Sequence, residues 1–304
     1  MKDKKNGLPI YHAFGLNIKS ELPSTPLFGM TPVCHAAPDV VIRLGNVPFD
    51  LENANYRDQY ISYHPGKLIL RIQGLARYLI AGGKEISIQI EPNAKEGDVA
   101  TIAFGSAIGT LLYQRHIFAL HGSAVRTSKG AVIFSGVKGA GKSTIAAALA
   151  ARGWEFMSDD ICAIHFENEK ALLYPGLSRA KLTYESYVNI IGGKPDNPPI
   201  SPFLDKYGAA FKVSLKPSPI KAICLLEASG KGLNIELIKG AERLKLLTEQ
   251  IYRPLIHQLI ESPVQQFRQY SAISSQTSVL RISRALDFGH MNSCLQFLED
   301  EVLS

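Results

Sequence analysis

Gly130-Ala-Val-Ile-Phe-Ser-Gly136-Val-Lys-Gly-Ala-Gly141-Lys-Ser-Thr144 is the stretch that decides how this chain is read. Ala131 to Ser135 is a short, mostly apolar run that feeds directly into glycines. Ser143 to Arg152 is alanine-rich and predicts a helix, closed by Gly153 where a left-handed C-terminal residue belongs. Between them Gly136, Val137, Lys138, Gly139, Ala140, Gly141, Lys142 and Ser143 fit G-x-x-x-x-G-K-[ST] at every fixed position. The chemistry demands these residue types. Glycines let backbone N–H groups turn inward around phosphate oxygens, and the helix presents its positive N-terminal end. Lys142 is expected to reach the β and γ phosphates and the Ser143 hydroxyl to ligate Mg²⁺. The expected cofactors are therefore ATP and Mg²⁺, held by Gly136 through Thr144. The motif is silent about what receives the phosphate.

Working outward, Phe118 to Arg126, the turn Thr127-Ser-Lys-Gly130 and Ala131 to Ser135 predict a β-hairpin whose second strand leads into the loop. A second hairpin is expected from Ile161 to Phe166, a turn at Glu167 to Lys170, and Ala171 to Tyr174. Hairpins beside the loop imply antiparallel neighbours, so the α/β sheet is expected to be mixed rather than purely parallel. Between the hairpins, Trp154 to Met157 reads as a short strand followed by Ser158-Asp159-Asp160. One carboxylate there commonly orients Mg²⁺ or its waters, which gives Ser143 and Asp159 as the metal-binding pair. The adjacent carboxylate is free to accept the proton of an attacking hydroxyl. Successive strand residues face opposite ways, so both serve one site only if the strand ends or bends at the pair. The bland alternative is a turn or helix-capping pair. His121, on the first hairpin strand, is either a satisfied core histidine or an imidazole near the γ-phosphate.

Residues 1–97 read as an N-terminal β-rich module, with apolar runs at Tyr11 to Ile18, Val40 to Leu44, Tyr60 to Tyr63, Lys67 to Ile72, Tyr78 to Ala81 and Ile86 to Ile90. His64-Pro-Gly66 and Gly82-Gly-Lys84 punctuate them. The period changes to helical from Val99 to Arg115, and residues 98–304 are assigned to the phosphate-loop domain. Ile191 to Pro202, rich in glycine and proline, predicts a mobile loop; it or the β module is expected to hold an acceptor. Further on, Ile220 to Glu227 reads as a buried strand. Glu242 to Ile260 has a helical pattern broken at Pro254, Val279 to Ser283 reads as a strand, and Asp287 to Leu303 as a helix. That last helix suits either a homo-oligomer contact or packing on its own domain.

Lys plus Arg number 33 against 27 Asp plus Glu, a net charge of +6. A mild positive field suits polyphosphates or an acidic peptide, or is a normally solvated surface. No basic run argues for nucleic acid. Cys34, Cys162, Cys224 and Cys294 show no metal-ligand spacing and are expected to be buried free thiols in a reducing compartment. Without an apolar leader or an apolar run of membrane-spanning length, the expectation is a cytoplasmic protein with no membrane partner.

The stretch from Leu120-His-Gly-Ser-Ala-Val125 through the loop to Met157-Ser-Asp-Asp160 resembles the catalytic domain of HPr kinase/phosphorylase. It is more similar still to the HPr-kinase-like proteins encoded with lasso peptide biosynthesis genes, which phosphorylate a serine of the precursor peptide. That closer likeness includes Tyr11-His-Ala-Phe-Gly-Leu16, Gly105-Ser-Ala-Ile-Gly-Thr-Leu-Leu-Tyr-Gln-Arg115 and Tyr174-Pro-Gly-Leu-Ser-Arg-Ala-Lys-Leu182. The resemblance implies the mixed-sheet core shared by HPr kinase and phosphoenolpyruvate carboxykinase, with a peptide substrate as partner. It makes His121, Asp159 and Asp160 catalytic, with Asp160 as base toward a serine, beside Lys142, which the loop motif already makes catalytic. The chain lacks the Glu-Ile-Arg-Gly type signature of the phosphorylase branch, which points away from phosphorolysis and from HPr as acceptor. Arg179 and Lys181 are the cations at that place, available to neutralise the transferring phosphoryl group or to lie at the surface.

Overall fold

The structure is a computed structural model that describes residues 8–23, 30–33, 36–196, 199–200, 205–213, 215–229 and 232–303. The chain forms two compact units, Met1–His116 and Ile117–Ser304.

The first unit is built on a nine-stranded sheet in the order Thr31–Val33, Ile10–Ala13, Leu16–Ser20, Val40–Leu44, Glu85–Ile90, Ala76–Ala81, Lys67–Ile72, Ile61–His64 and Tyr56–Arg57. Alternation puts Ala76, Tyr78 and Ile80 of one strand, and Ile86 and Ile88 of the next, inside. Tyr11 to Ile18 is not one strand but a hairpin, because Phe14 (φ 59) and Gly15 (φ 76) turn the chain. The helical segment Glu96–Gln114 carries a π-helical turn at Ala103–Ala107. It belongs to this unit, although its sequence assigns it to the second domain. The Tyr78 hydroxyl donates to Val99 O at 3.0 Å, and Gln114 and Arg115 bond the Gly83 turn.

In the second unit, Phe118–Thr127 pairs antiparallel with Gly130–Gly136, as the turn chemistry predicts. Ile161–Glu167 and Lys170–Tyr174 form the second hairpin, with Asn168 (φ 47) and Glu169 (φ 65) as its two left-handed turn residues. Gly130–Gly136 also pairs in parallel with Ser218–Ala228, which pairs with Lys170–Tyr174. With Phe118–Thr127 pairing Ile161–Glu167, five strands close into a ring. Ser278–Arg284 and Asn234–Leu237 extend the sheet beyond Ser218–Ala228. Parallel and antiparallel pairings coexist, so the sheet is mixed. The helix Lys142–Ala151 buries Ile145, Ala146, Ala147 and Leu149 with Phe134, Phe156 and Leu298.

The remaining segments are resolved more finely here. The pattern from Glu242 to Ile260 is two helices, Gly240–Thr248 and Pro254–Ile260, and the break precedes Pro254. Ile251 bridges Leu120 between them, with Gln250 O accepting from the His121 N–H and the Tyr252 N–H donating to Ala119 O. A further helix, Pro263–Gln276, begins with a capping box between Ser262 and Gln265. Of Ile191 to Pro202, residues 197–198 and 201–202 lie outside the described residues; 191–196 and 199–200 are neither helix nor strand. Asp287 to Leu303 comprises a 3₁₀ turn, the α-helix Met291–Leu298 and a π-helical end. Cys162, Cys224 and Cys294 are buried and free, whereas Cys34 lies outside the described residues. No helix among the described residues is long and apolar enough to cross a membrane.

Candidate active site

The site begins where Gly130–Gly136 stops. Gly136 (φ 134) leaves the sheet, and a Cβ there would lie 2.5 Å from Leu226 O on the parallel neighbour, so only glycine lets the chain turn away at this point. Val137, Lys138 and Gly139 form an exposed tip, Val137 being 75% exposed. Gly141 (φ 86) caps the helix that begins at Lys142. Thr144 turns sideways, its Oγ1 lying 3.2 Å from Ser186 Oγ on the neighbouring helix Tyr184–Ile190. Lys142 curls back onto the loop, donating to Gly136 O at 2.8 Å and Val137 O at 3.0 Å. Burial and the nearby Lys206 charge lower its pKa against the attraction of Asp159 and Asp160.

The two aspartates do reach one place. Glu155–Ser158 and Ile161–Glu167 both pair with Phe118–Thr127, and the aspartates interrupt that pairing opposite Gly122 and Ser123. Asp160 takes a left-handed backbone (φ 72). This bend overcomes the alternation that would otherwise send the two carboxylates to opposite faces.

Their surroundings differ. Asp159, 3% exposed, accepts from neutral groups: Ser123 Oγ at 2.6 Å, Ser143 Oγ at 2.7 Å and the Lys181 N–H at 2.8 Å. Asp160 faces an ammonium and an imidazole. Lys181 Nζ lies 2.9 Å from its Oδ2, and His121 Nδ1 is 3.4 Å from its Oδ1. Burial by itself would raise the Asp160 pKa, but Lys181, His121 and Arg253 hold it down to about 2. Conversely, burial lowers the Lys181 pKa and Asp160 more than reverses this, so the net shift is upward. His121 is lowered chiefly by burial, with Lys142 adding to the effect and Asp160 opposing it, so the ring is neutral at pH 7. Arg179, two residues before Lys181 on the same strand, is pulled down to about 10 by burial, with Asp159 opposing.

Sequence reasoning missed several members of the site. Gln250 O accepts from the His121 N–H at 2.8 Å, and Ser135 Oγ is 2.6 Å from His121 O and 3.0 Å from Gln250 Oε1. Tyr252 stacks on the His121 ring at 5.9 Å, and the Arg253 charge bears on Asp160. Lys206 enters through the ribbon Lys206–Ala210, which pairs with Arg179–Thr183. Ser123 had a usable signal, since it lies two residues beyond His121 and so on the same strand face.

Ser143, Ser123 and Asp159 offer hard oxygen donors at one point. No group of three or more His, Cys, Asp or Glu able to hold a metal occurs among the described residues. That donor set fits Mg²⁺, which takes one or two protein oxygens and completes its shell with phosphate and water.

No protein-family model matches the chain, and no curated protein matches it. Among solved structures the chain is similar to the Hpr(Ser) kinase/phosphatase from Coxiella burnetii. The identity is 13%, over 60% of this chain and 88% of that one, with a TM-score of 0.33. A likeness of that degree decides neither fold nor activity, and the chemistry has to be argued from the site itself.

Proposed function

We propose that this chain is an ATP-dependent kinase that transfers the γ-phosphoryl group of ATP to a serine hydroxyl of a lasso peptide precursor. One observation carries the kinase reading. The hydroxyl at the start of the loop's helix shares a hydrogen bond with Asp159, while the next residue, Asp160, stands ionised beside His121 and Lys181. A site that only bound nucleotide would need no such second carboxylate. The serine acceptor and the peptide rest on the sequence resemblance at His121, Asp160 and the flanking motifs.

Lys142 exchanges the Gly136 and Val137 carbonyls for phosphate oxygens when nucleotide enters. Ser143 and Asp159 are the residues that would hold Mg²⁺, whose charge offsets that of the β and γ phosphates when bound. Asp160, its pKa held near 2, is a weak base at neutral pH. It orients the acceptor hydroxyl and collects its proton late, which suffices because alignment and charge neutralisation dominate phosphoryl transfer. Lys181 fixes both aspartates, one through its backbone N–H and the other through its ammonium. His121, neutral and clamped by the Tyr252 ring and Gln250 O, orients Asp160 from the other side.

The test is transfer of labelled phosphate from ATP to the candidate peptide, followed by mass spectrometry of the product. Transfer by the unsubstituted protein should be abolished in Lys142→Ala and severely reduced in Asp160→Asn. Undiminished transfer by both variants would remove these roles. Mg·ATP uptake without any peptide mass shift would instead favour a nucleotide sensor, and ADP release with a small metabolite would favour a metabolite kinase.

A further inference from the structure

The strand Ser278–Arg284 ends against the phosphate loop, and its last side chain has no role in the chemistry above. Arg284 is 3% exposed. Nη2 donates to Ala140 O at 3.1 Å and Nη1 to Ala285 O at 2.9 Å. Nε is buried without a hydrogen-bond partner. The guanidinium forms no ion pair among the described residues. A buried, unpaired cation is costly, and it stays charged at neutral pH because arginine does not release its proton there.

Two geometric facts tie this cation to the loop. A peptide group is planar and trans, so its C=O and N–H point in opposite directions. Holding Ala140 O therefore turns the Gly141 N–H away from Arg284. The approach is also close: a Cβ on Gly141 would lie 2.1 Å from Nη2, so only glycine tolerates the arginine at this place.

Resting on the nucleotide-binding reading, we propose that Arg284 is a positioning residue for the polyphosphate. It fixes the Ala140–Gly141 peptide so that the Gly141 N–H faces the phosphate, and it sets a positive charge beneath the loop. The bound polyanion supplies a close negative charge, where the fold offers the guanidinium only the exposed Asp287, beyond ion-pair distance. The arginine thus favours the nucleotide-bound state over the empty one. A purely architectural arginine would stabilise both states alike.

The experiment measures Mg·ADP affinity by calorimetry and nucleotide-free melting in the full chain, in Arg284→Met and in Arg284→Lys. Arg284→Met should melt at or above the unsubstituted protein yet bind Mg·ADP at least about ten-fold more weakly, the scale of a lost charged hydrogen bond. Arg284→Lys, which keeps the charge without the fork, should fall between. A folded Arg284→Met with unchanged Mg·ADP affinity would overturn the proposal, whatever its melting temperature. If that variant does not fold, the Arg284 Nε–H resonance of the unsubstituted protein is followed on adding Mg·ADP. A shift supports the proposal and a stationary resonance overturns it. Failure of the unsubstituted protein to take up Mg·ADP would sink the nucleotide reading itself, an outcome distinct from a failure confined to Arg284.

Discussion

Arg71 in the first unit and Arg284 in the second are both buried guanidinium groups, and they are furnished very differently. Arg71, 7% exposed, donates to the carbonyls of Gln59, Phe49, Asp58 and Ile61 and to the Asp50 carboxylate. The Phe49 ring lies 5.2 Å from its centre. Every nitrogen has an acceptor, and a counter-charge is at hand. Arg284 has two carbonyls, an idle Nε and no ion pair among the described residues. A fully satisfied buried charge ties segments together and leaves nothing for a ligand. An incompletely satisfied one is tolerable where something else completes it. The same distinction runs through the carboxylates, since Asp50 sits with Arg57 and Arg71 in a static cluster while Asp160 stands beside the loop.

The contrast can be broken by measurement. The largest effect is expected at Asp160: Asp160→Asn should lower phosphate transfer about 10²- to 10⁴-fold, the scale of a lost acid–base group. Near-normal transfer in that variant would put the two clusters on the same structural footing. Next, Arg71→Met should cost about 3–5 kcal/mol in denaturant unfolding, because it takes a donor from the Phe49, Asp58 and Gln59 carbonyls and one of two cations from Asp50. Its Mg·ADP affinity should be untouched, and a change there would show that the first cluster is not merely architectural.

Acid sensitivity is smaller and has a definite sign. The folded pKa of Asp160 lies near 2, below its ordinary 3.8. Its contribution is therefore complete above about pH 4 and lost as pH falls toward 2, amounting to about 2 kcal/mol. Urea unfolding at the two pH values should show a loss larger by about that amount in the unsubstituted protein than in Asp160→Asn, which keeps the acid sensitivity of Asp50, Asp58 and Asp287. The smallest effect belongs to Arg281, three residues before Arg284. It pairs with Glu227, Glu236 and Glu242, all about half exposed. Arg281→Ala should cost below about 1 kcal/mol, and the difference should shrink in about 1 M salt. A large, salt-insensitive loss would mean that this surface network is worth as much as the buried ones.

The parts of this molecule legible in its sequence are those written in local rules. The glycine loop, both hairpins beside it and the helix behind it follow from turn residues and apolar runs that need no distant partner. The position of Asp159 and Asp160 after a short strand was readable too. Their convergence was not, because it depends on a left-handed residue that alternation alone would not supply. Gln250 to Arg253 was hidden by a helical pattern running through it; pairing with Leu120 and its neighbours overrides that propensity. Arg179–Thr183 and Lys206–Ala210 pair across some twenty residues that include the helix Tyr184–Ile190, so no hairpin spacing announced the ribbon. The helix Pro263–Gln276 did carry its signal in Ser262-Pro-Val-Gln265. Arg284 carried none, since one basic residue at a strand end acquires meaning only from what lies against it.

The strand Gly130–Gly136 lies between two others, Phe118–Thr127 on one side and Ser218–Ala228 on the other, within a closed ring. Its backbone has no free edge along which to peel. Deuterium should enter this segment only through wholesale opening of the second unit, then appear abruptly at Val137 where the chain leaves the sheet. The loop is in effect a soft tip on a stiff mount. Its excursions are confined to a handful of residues, and what grips them from below governs how far they travel.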